Sequence, residues 1–385
     1  MVSRQPILDH LERIVAYELL APAADGDPAA GTLVHAIADI GLHRLVGARP
    51  AHVDVTRSFL LTARPLPLAP ELVVLEVPAD APADDLLLAV LRDARAEGFA
   101  IALDRFHAGT DQALLELASS AKLDVDALDE DELDAAVTVA RGLGLQLIAS
   151  GVHTRDAYGR CRGLGFDAFQ GQYFAEPVVI SGASIPTYRL RALSLLAAGE
   201  ATSFEQLERV IIEDPGLSLK LVKLVNSAFF AGRHRVGTVR QALMALGSVA
   251  VRRWASLFVL AGITDRPTHV LEIGLLRGRL AELVATRTPG AEPERAFTVG
   301  LFSVVDSLLG MRMPALLEDL PFDERTSRAL AAHEGPEGRL LAGVLAYEAG
   351  DFDGCSLAGV SLVDLAHAYG EALDWTDGAM VQLTA

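Results

Sequence analysis

The sequence predicts a (β/α) barrel over residues 1–180 followed by an all-helical domain over residues 181–385. Three observations support this fold class. Short β-type runs alternate with helix-period segments as far as about residue 180. These runs are mostly apolar and are separated by helices, as in a parallel sheet whose outer face is covered. After Pro177 the strand pattern ends, and helices with clear caps follow one another.

Seven apolar runs in the first half are predicted as strands, and at least two longer segments between them have helical periodicity. Seven or eight such units favour a closed TIM-like barrel over an open sheet. The predicted strands are Ile14–Leu20, His52–Val55, Leu72–Val77, Ala100–Phe106, Ala121–Val125, Leu145–Val152 and Ala168–Phe174. The predicted helices include residues 32–46 and 83–97, and the second of these has acids in its first turn, which the helix dipole favours.

The second half begins with a linker and continues as helices. Residues 178–186 have the small, turn-forming composition of a linker. Ser203 and Gln206 have the spacing of a capping box, and Asp214 followed by Pro215 marks the start of the next helix. Thr238 precedes a further helix, which is predicted to end at Gly247.

Composition excludes several classes of protein. The chain has 385 residues with 33 Lys+Arg and 51 Asp+Glu, so its formal net charge is -18 and disfavours binding to nucleic acid or anionic membranes. Cys161 and Cys355 fit no metal-binding spacing and are predicted to be buried free thiols. The first residues lack an apolar signal core, and the longest uncharged apolar run has ten residues, 254–263. A cytoplasmic protein is expected.

Polar side chains collect at the ends of the predicted strands, where barrel enzymes carry their chemistry. Four carboxylates that converge on one face repel one another unless a divalent cation or a lysine neutralises them. Lys122 is one of only three lysines in the chain and is the only one in the first half. The alternative is that each acid caps the helix that follows it. The four acids are Glu18, Asp54, Glu76 and Asp104.

These residues lie in motifs that resemble the EAL domain, a family that binds or hydrolyses cyclic di-GMP. The resemblance covers nearly all of residues 1–180, and its motifs occur in the family's order. They are RQPILD at 4–9, YELL at 17–20, LEV at 75–77, ALDRF at 102–106, KLD at 122–124, ASGVHT at 149–154 and QGQYFAEP at 170–177.

The resemblance implies a site for two ions, Mg²⁺ or Mn²⁺, that promote attack on a phosphodiester. Glu18, Glu76 and Asp104 match metal ligands, and Lys122 matches the lysine near the attacking water. Gln170 matches a late glutamine of the catalytic site. Gln5 and Leu20 match positions that face the guanine end of the ligand.

Other positions depart from the family pattern. Asp54 replaces the metal-binding asparagine, and Arg105 replaces the second acid of an Asp-Asp pair. Ser150 and His153 replace two glutamates, and Pro22 replaces the arginine that contacts substrate phosphate. A positive charge in place of a ligand costs several kcal/mol beside a divalent ion, even at an effective dielectric of about 20.

The departures lead to the prediction of a pseudo-enzyme that needs no cofactor. A weakly active phosphodiesterase using Mg²⁺ or Mn²⁺ and a cyclic di-GMP sensor without turnover remain as alternatives. Arg105 distinguishes them: its guanidinium among Glu18, Asp54 and Asp104 would exclude metal, whereas an outward-facing Arg105 would permit catalysis. An internal salt bridge from Arg105 to Asp104 or Asp54 is the expected way of neutralising the acids.

The second half resembles the HDOD domain, a helical relative of HD phosphohydrolases that lacks their metal-binding dyad. Residues 203–230 and 236–255 carry this resemblance, and the chain contains no His-Asp dipeptide. The combination implies a bacterial signal-transduction protein that acts on other signalling proteins through protein contacts. A homodimer, cyclic di-GMP binding and the identity of the partner stay open, and no nucleic-acid or membrane partner is expected.

Overall fold

A computed structural model describes the fold, and it divides the chain into two compact units. One unit contains Met1–Ala175 with Ala346–Gly354, and the other contains Glu176–Leu345 with Cys355–Ala385. The predicted domain boundary at 180 lies outside the described residues. The structure describes residues 2–22, 33–34, 37, 40–63, 65–174, 203–227, 229–230, 236–262, 268–309, 312–320 and 322–384.

Eight strands form a closed barrel in the first unit, in the order in which they occur along the chain. Strands β2 to β8 are parallel neighbours, whereas β1 runs antiparallel to both β2 and β8. The strands are β1 (Ser3–Asp9), β2 (Ile14–Leu20), β3 (Ala51–Asp54), β4 (Val73–Pro78), β5 (Ala100–Asp104), β6 (Ser120–Asp124), β7 (Gln146–Ser150) and β8 (Ala168–Phe169).

The expectation of parallel strands throughout is wrong at β1, which was not predicted as a strand at all. Pro6 lies in the middle of β1 and has no N–H for a sheet hydrogen bond, so the segment reads poorly as a strand. The predicted strand 168–174 is also too long. It ends at Phe169, and a 3₁₀ turn follows at Gln172–Phe174.

Helices with side-chain caps connect the barrel strands. Asp84 and Asp129 accept backbone hydrogen bonds at the starts of α3 and α5, and Thr154 does so at the start of α6. Of the predicted helix 32–46, the structure gives α1 at its end, and much of the remainder lies outside the described residues. The helices are α1 (Leu42–Val46), α2 (Arg57–Thr62), α3 (Asp85–Ala96), α4 (Gln112–Leu115), α5 (Glu130–Gly142) and α6 (Arg155–Leu164).

The described residues beyond 202 form helices and no strand, as predicted. The Ser203–Gln206 capping box and the Asp214 cap before Pro215 are both present. The helices are α7 (Phe204–Glu213), α8 (Pro215–Val225), α9 (Val239–Gly262), α10 (Thr268–Ala285), α11 (Pro293–Phe302), α12 (Val305–Leu309), α13 (Met313–Asp319), α14 (Glu324–Ala332), α15 (Gly335–Glu348), α16 (Phe352–Leu357) and α17 (Leu362–Thr384).

Helix α9 is the only described helix long and apolar enough to cross a membrane by length and composition. Gly247 interrupts it with a φ of 81°, at the position where a helix end was predicted. Its second part places Trp254, Leu257 and Leu260 in the hydrophobic core of the helical unit. These contacts fit a core helix. Cys161 and Cys355 are both buried and free, as predicted.

Candidate functional site

The side chains at the ends of the central barrel strands meet inside the barrel. Successive residues of a strand point to opposite faces, so His52 and Asp54 of β3 share one face. In the sheet register, His52 lies opposite Glu18 of β2, and Asp54 lies opposite Glu76 of β4. Glu18 and Glu76 are far apart in the sequence, and both are buried.

Lys122 of β6 is the cation that neutralises these acids. Its ammonium donates to Oε1 of Glu18 at 2.6 Å and to Oε2 of Glu76 at 2.9 Å, and it is almost fully buried. Gln170 donates from Nε2 to Glu18 and, at 2.9 Å, to Oε1 of Gln5. The structure therefore joins Gln5, Gln170, Glu18, Lys122 and Glu76 in one hydrogen-bonded group.

The protonation of the acids follows from their surroundings. Burial acts to raise the pKa of Glu76, but Lys122 and the His52 hydrogen bond outweigh it and hold that pKa well below its ordinary value. Burial opposes the charge of Lys122 as well, yet Glu76 and Glu18 raise its pKa above the ordinary value. For Asp54, burial together with repulsion by Glu76 and Glu18 outweighs the attraction of Lys122 and raises its pKa to about 8.

The geometry of three of the acids suits a hard divalent cation. Glu18, Asp54 and Glu76 each offer a carboxylate oxygen, and these oxygens lie within 4.8 Å of one another. Burial and then the negative charge of Glu76 and Glu18 raise the pKa of Asp54, and a cation would relieve that repulsion. In addition, Oε1 of Gln170 is buried and accepts no hydrogen bond from the described residues. The residues present thus fit one Mg²⁺ or Mn²⁺ ion.

Asp104 lies outside this group of three, and so does Arg105. The Arg105 side chain is 64% exposed, and its Nε lies 3.4 Å from Oδ2 of Asp104. A second, longer contact of 3.9 Å joins it to Asp80. Arg105 follows β5 with a φ of 51°, in the left-handed region of backbone conformation. The expected pair with Asp104 is present, but Lys122 rather than Arg105 compensates the buried acids.

The remaining departures from the family pattern supply no carboxylate. The Ser150 hydroxyl donates to the Leu123 carbonyl at 3.1 Å. His153 is exposed, and Pro22, two residues after β2, is half-buried. Leu20 and Gln5 are also half-buried.

At the helices that the structure describes, none of the four strand-end acids acts as a cap. The caps observed at the barrel helices with a side-chain hydrogen bond are Thr56, Asp84, Asp111, Asp129 and Thr154. Since none of these is Glu18, Asp54, Glu76 or Asp104, capping does not account for the acids at the site.

His52 is a residue at the candidate site that sequence reasoning missed. Its Nδ1 lies 2.7 Å from Oε1 of Glu76, and both side chains are buried. The signal was available, because His52 is two residues before Asp54 on the same predicted strand and therefore faces the same side of the sheet.

Comparison with family models finds both domains. The EAL domain model matches residues 51–177, and the HDOD domain model matches residues 183–320. Among solved structures, the chain resembles Klebsiella pneumoniae BlrP1 in a calcium and cyclic di-GMP complex, with 19% identity, a TM-score of 0.38, and coverage of 44% of this chain and 53% of that one. An EAL domain protein from Listeria monocytogenes has 19% identity and a TM-score of 0.35, covering 45% of this chain and 86% of that one. Similarity at this level says nothing about activity.

Two relatives match over almost the whole chain. The protein YuxH of Bacillus subtilis is 30% identical over 98% of this chain and 98% of its own. The cyclic di-GMP phosphodiesterase CdgJ of Vibrio cholerae is 30% identical over 97% of this chain and 92% of its own. With both family models matched in the same order, this chain belongs to the family of proteins that join an EAL domain to an HDOD domain.

Proposed function

We propose that this protein is a cyclic di-GMP signalling protein whose barrel holds one divalent ion, does not hydrolyse cyclic di-GMP efficiently, and acts through contacts with other signalling proteins. One observation carries the proposal: three acids converge closely enough to share a cation, and Asp104 is not among them. These three residues can share one ion, whereas the resemblance implies two for catalysis.

The chain's own residues would hold the ion in a buried, charged site. Glu18, Asp54 and Glu76 would be its ligands, and Lys122 donates a hydrogen bond to each of the two glutamates. A bound divalent ion supplies positive charge that stabilises a phosphate group and the oxygens around it. Ser150, whose hydroxyl donates a hydrogen bond to a backbone carbonyl, offers no base in place of the missing glutamate.

The proposed lack of efficient turnover follows from the size of the missing effect. Two-metal sites stabilise the attacking and the leaving oxygen together, and removal of a single catalytic interaction costs about 10²–10³ in rate. Here the second acid is Arg105, the phosphate-binding arginine is Pro22, and a glutamate is Ser150. Losses at three positions leave binding and regulation as the functions that the site can still perform.

A weakly active phosphodiesterase is the second candidate, and the position of Arg105 favours it. Because the guanidinium is exposed, it does not fill the space between Glu18, Asp54 and Glu76. The relative named as a cyclic di-GMP phosphodiesterase, at 30% identity over almost the full length, also supports this candidate.

Turnover and metal binding together distinguish the two candidates. Full-length protein is incubated with cyclic di-GMP and either Mg²⁺ or Mn²⁺, and linear dinucleotide is separated by chromatography. We expect one Mn²⁺ per chain by calorimetry and no more product than the Glu18→Gln variant gives. Metal-dependent product that disappears in Glu18→Gln would establish the phosphodiesterase instead. Calorimetry with cyclic di-GMP measures ligand binding, and light scattering tests for a homodimer.

A further inference from the structure

The hydrogen bond between His52 and Glu76 assigns a role to a residue outside the set of ligands. Each oxygen of the Glu76 carboxylate has a separate donor: His52 Nδ1 lies 2.7 Å from Oε1, and the Lys122 ammonium lies 2.9 Å from Oε2. Two donors on the two oxygens fix both the position and the plane of a carboxylate. Glu76 is fully buried, so water does not compete for these contacts.

His52 reaches Glu76 through a side-chain hydrogen bond and is not its direct partner in the sheet. The register places His52 opposite Glu18 of β2 and Val74 of β4, and Asp54, two residues further along β3, lies opposite Glu76. His52 is not among the three residues whose oxygens converge. It therefore contacts a ligand without being placed as a ligand, which is the arrangement of outer residues that orient metal-binding side chains.

We infer that His52 is a positioning residue whose Nδ1–H holds the Glu76 carboxylate in the orientation that presents it to Glu18 and Asp54. This inference rests on the proposed metal site and deepens it. The hydrogen belongs on Nδ1 because an ionised carboxylate only accepts hydrogen bonds. Without this donor, Lys122 alone would hold Glu76, and the carboxylate would turn about that single contact.

Two substitutions separate hydrogen bonding from packing. In His52→Asn the amide nitrogen is as far from Cβ along the side chain as Nδ1 is, so a donor to Glu76 is retained. In His52→Leu the donor is lost while an apolar side chain of similar length fills the space. Mn²⁺ binding to the full chain is measured by calorimetry. We expect His52→Leu to bind Mn²⁺ about 10–100-fold more weakly than the natural protein, and His52→Asn to stay within about threefold.

Equal Mn²⁺ affinity in His52→Leu and in the natural protein would overturn the inference. Equal weakening in His52→Leu and His52→Asn would also overturn it, because it would show that packing matters and the donor does not. Circular dichroism and thermal unfolding of both variants establish that they are folded when they are compared.

A second measurement needs no bound metal. In a long-range ¹H–¹⁵N spectrum of the metal-free chain labelled at histidine, His52 should show the Nδ1–H form, and its signals should vanish in His52→Asn. The Nε2–H form would overturn the inference. If the natural protein binds no Mn²⁺, the metal site of the proposed function fails, and this spectrum alone decides whether His52 holds Glu76.

Discussion

Replacement of Lys122 by methionine tests whether one ammonium neutralises the buried acids of the barrel. The substitution keeps a long, flexible side chain and removes the charge that contacts Glu18 at 2.6 Å and Glu76 at 2.9 Å. Both glutamates are buried, so each would be left with its charge poorly compensated. In the metal-free protein we expect the barrel to lose stability.

The expected loss can be given a magnitude. Removal of one partner from a buried ion pair costs about 3–5 kcal/mol, because the other charge stays buried without compensation. For a unit of this size, 1 kcal/mol corresponds to a shift of about 2–4 °C in melting temperature. Lys122→Met should therefore lower the melting temperature of the barrel by roughly 6–20 °C.

The two units can be followed separately. Both tryptophans of the chain, Trp254 and Trp375, belong to the helical unit, so tryptophan fluorescence reports that unit. Peptide-level hydrogen exchange across β2, β4 and β6 reports the barrel. The control is Lys223→Met, which removes an exposed lysine of α8.

The expected pattern is faster exchange in the barrel strands with unchanged tryptophan fluorescence. Mn²⁺ should recover part of the loss by supplying another cation, and lower pH should recover part by protonating the acids. If barrel exchange in Lys122→Met matches that in Lys223→Met at pH 7.5, the acids are not neutralised by Lys122, and the charge assignment is refuted.

Three further predictions concern the same barrel. The pKa of Asp54 is about 8 in the folded chain against an ordinary 3.8. The folded form therefore holds this proton more tightly, and metal-free stability should decrease between about pH 4 and pH 8, by at most about 6 kcal/mol. Urea unfolding should show this decrease of the free energy of unfolding with pH in the natural protein and not in Asp54→Asn. Arg105→Asp should raise Mn²⁺ binding from one ion to two, whereas Arg105→Ala should leave one; calorimetric stoichiometry measures both. Gly171→Ala would place a Cβ 2.1 Å from the Val152 carbonyl oxygen, beside Gln170, and should lower the barrel melting temperature. Gly159→Ala in α6 meets nothing within 4 Å and should be neutral or stabilising by up to about 1 kcal/mol.

Local chemistry explains which parts of the fold were predictable. The Ser203–Gln206 capping box and the Asp214 cap depend on residues a few positions apart, so short sequence windows contain all their interactions. Strand β1 escaped prediction because Pro6 weakens its local pattern and its pairing depends on β2 and β8. Its antiparallel direction depends on how the barrel closes, and no short stretch of sequence determines that.

The candidate site was predictable as a set of residue types and not as an arrangement. The motif order placed Glu18, Asp54, Glu76 and Lys122 at strand ends. Only the folded structure shows that Lys122 contacts acids 104 and 46 residues away. His52 was missed because its contact with Glu76 of the neighbouring strand forms only in the closed barrel.

The sequence by itself determined the two-domain order, the barrel and helical classes, and the residue types that the site contains, because alternation, caps and motif order are written in neighbouring residues. The tertiary structure decided which charges meet. Arg105 is largely exposed and contacts its chain neighbour Asp104, whereas the distant Lys122 contacts the buried Glu18 and Glu76. Electrostatic energy depends on distance and burial, and neither is fixed until the chain has closed the barrel.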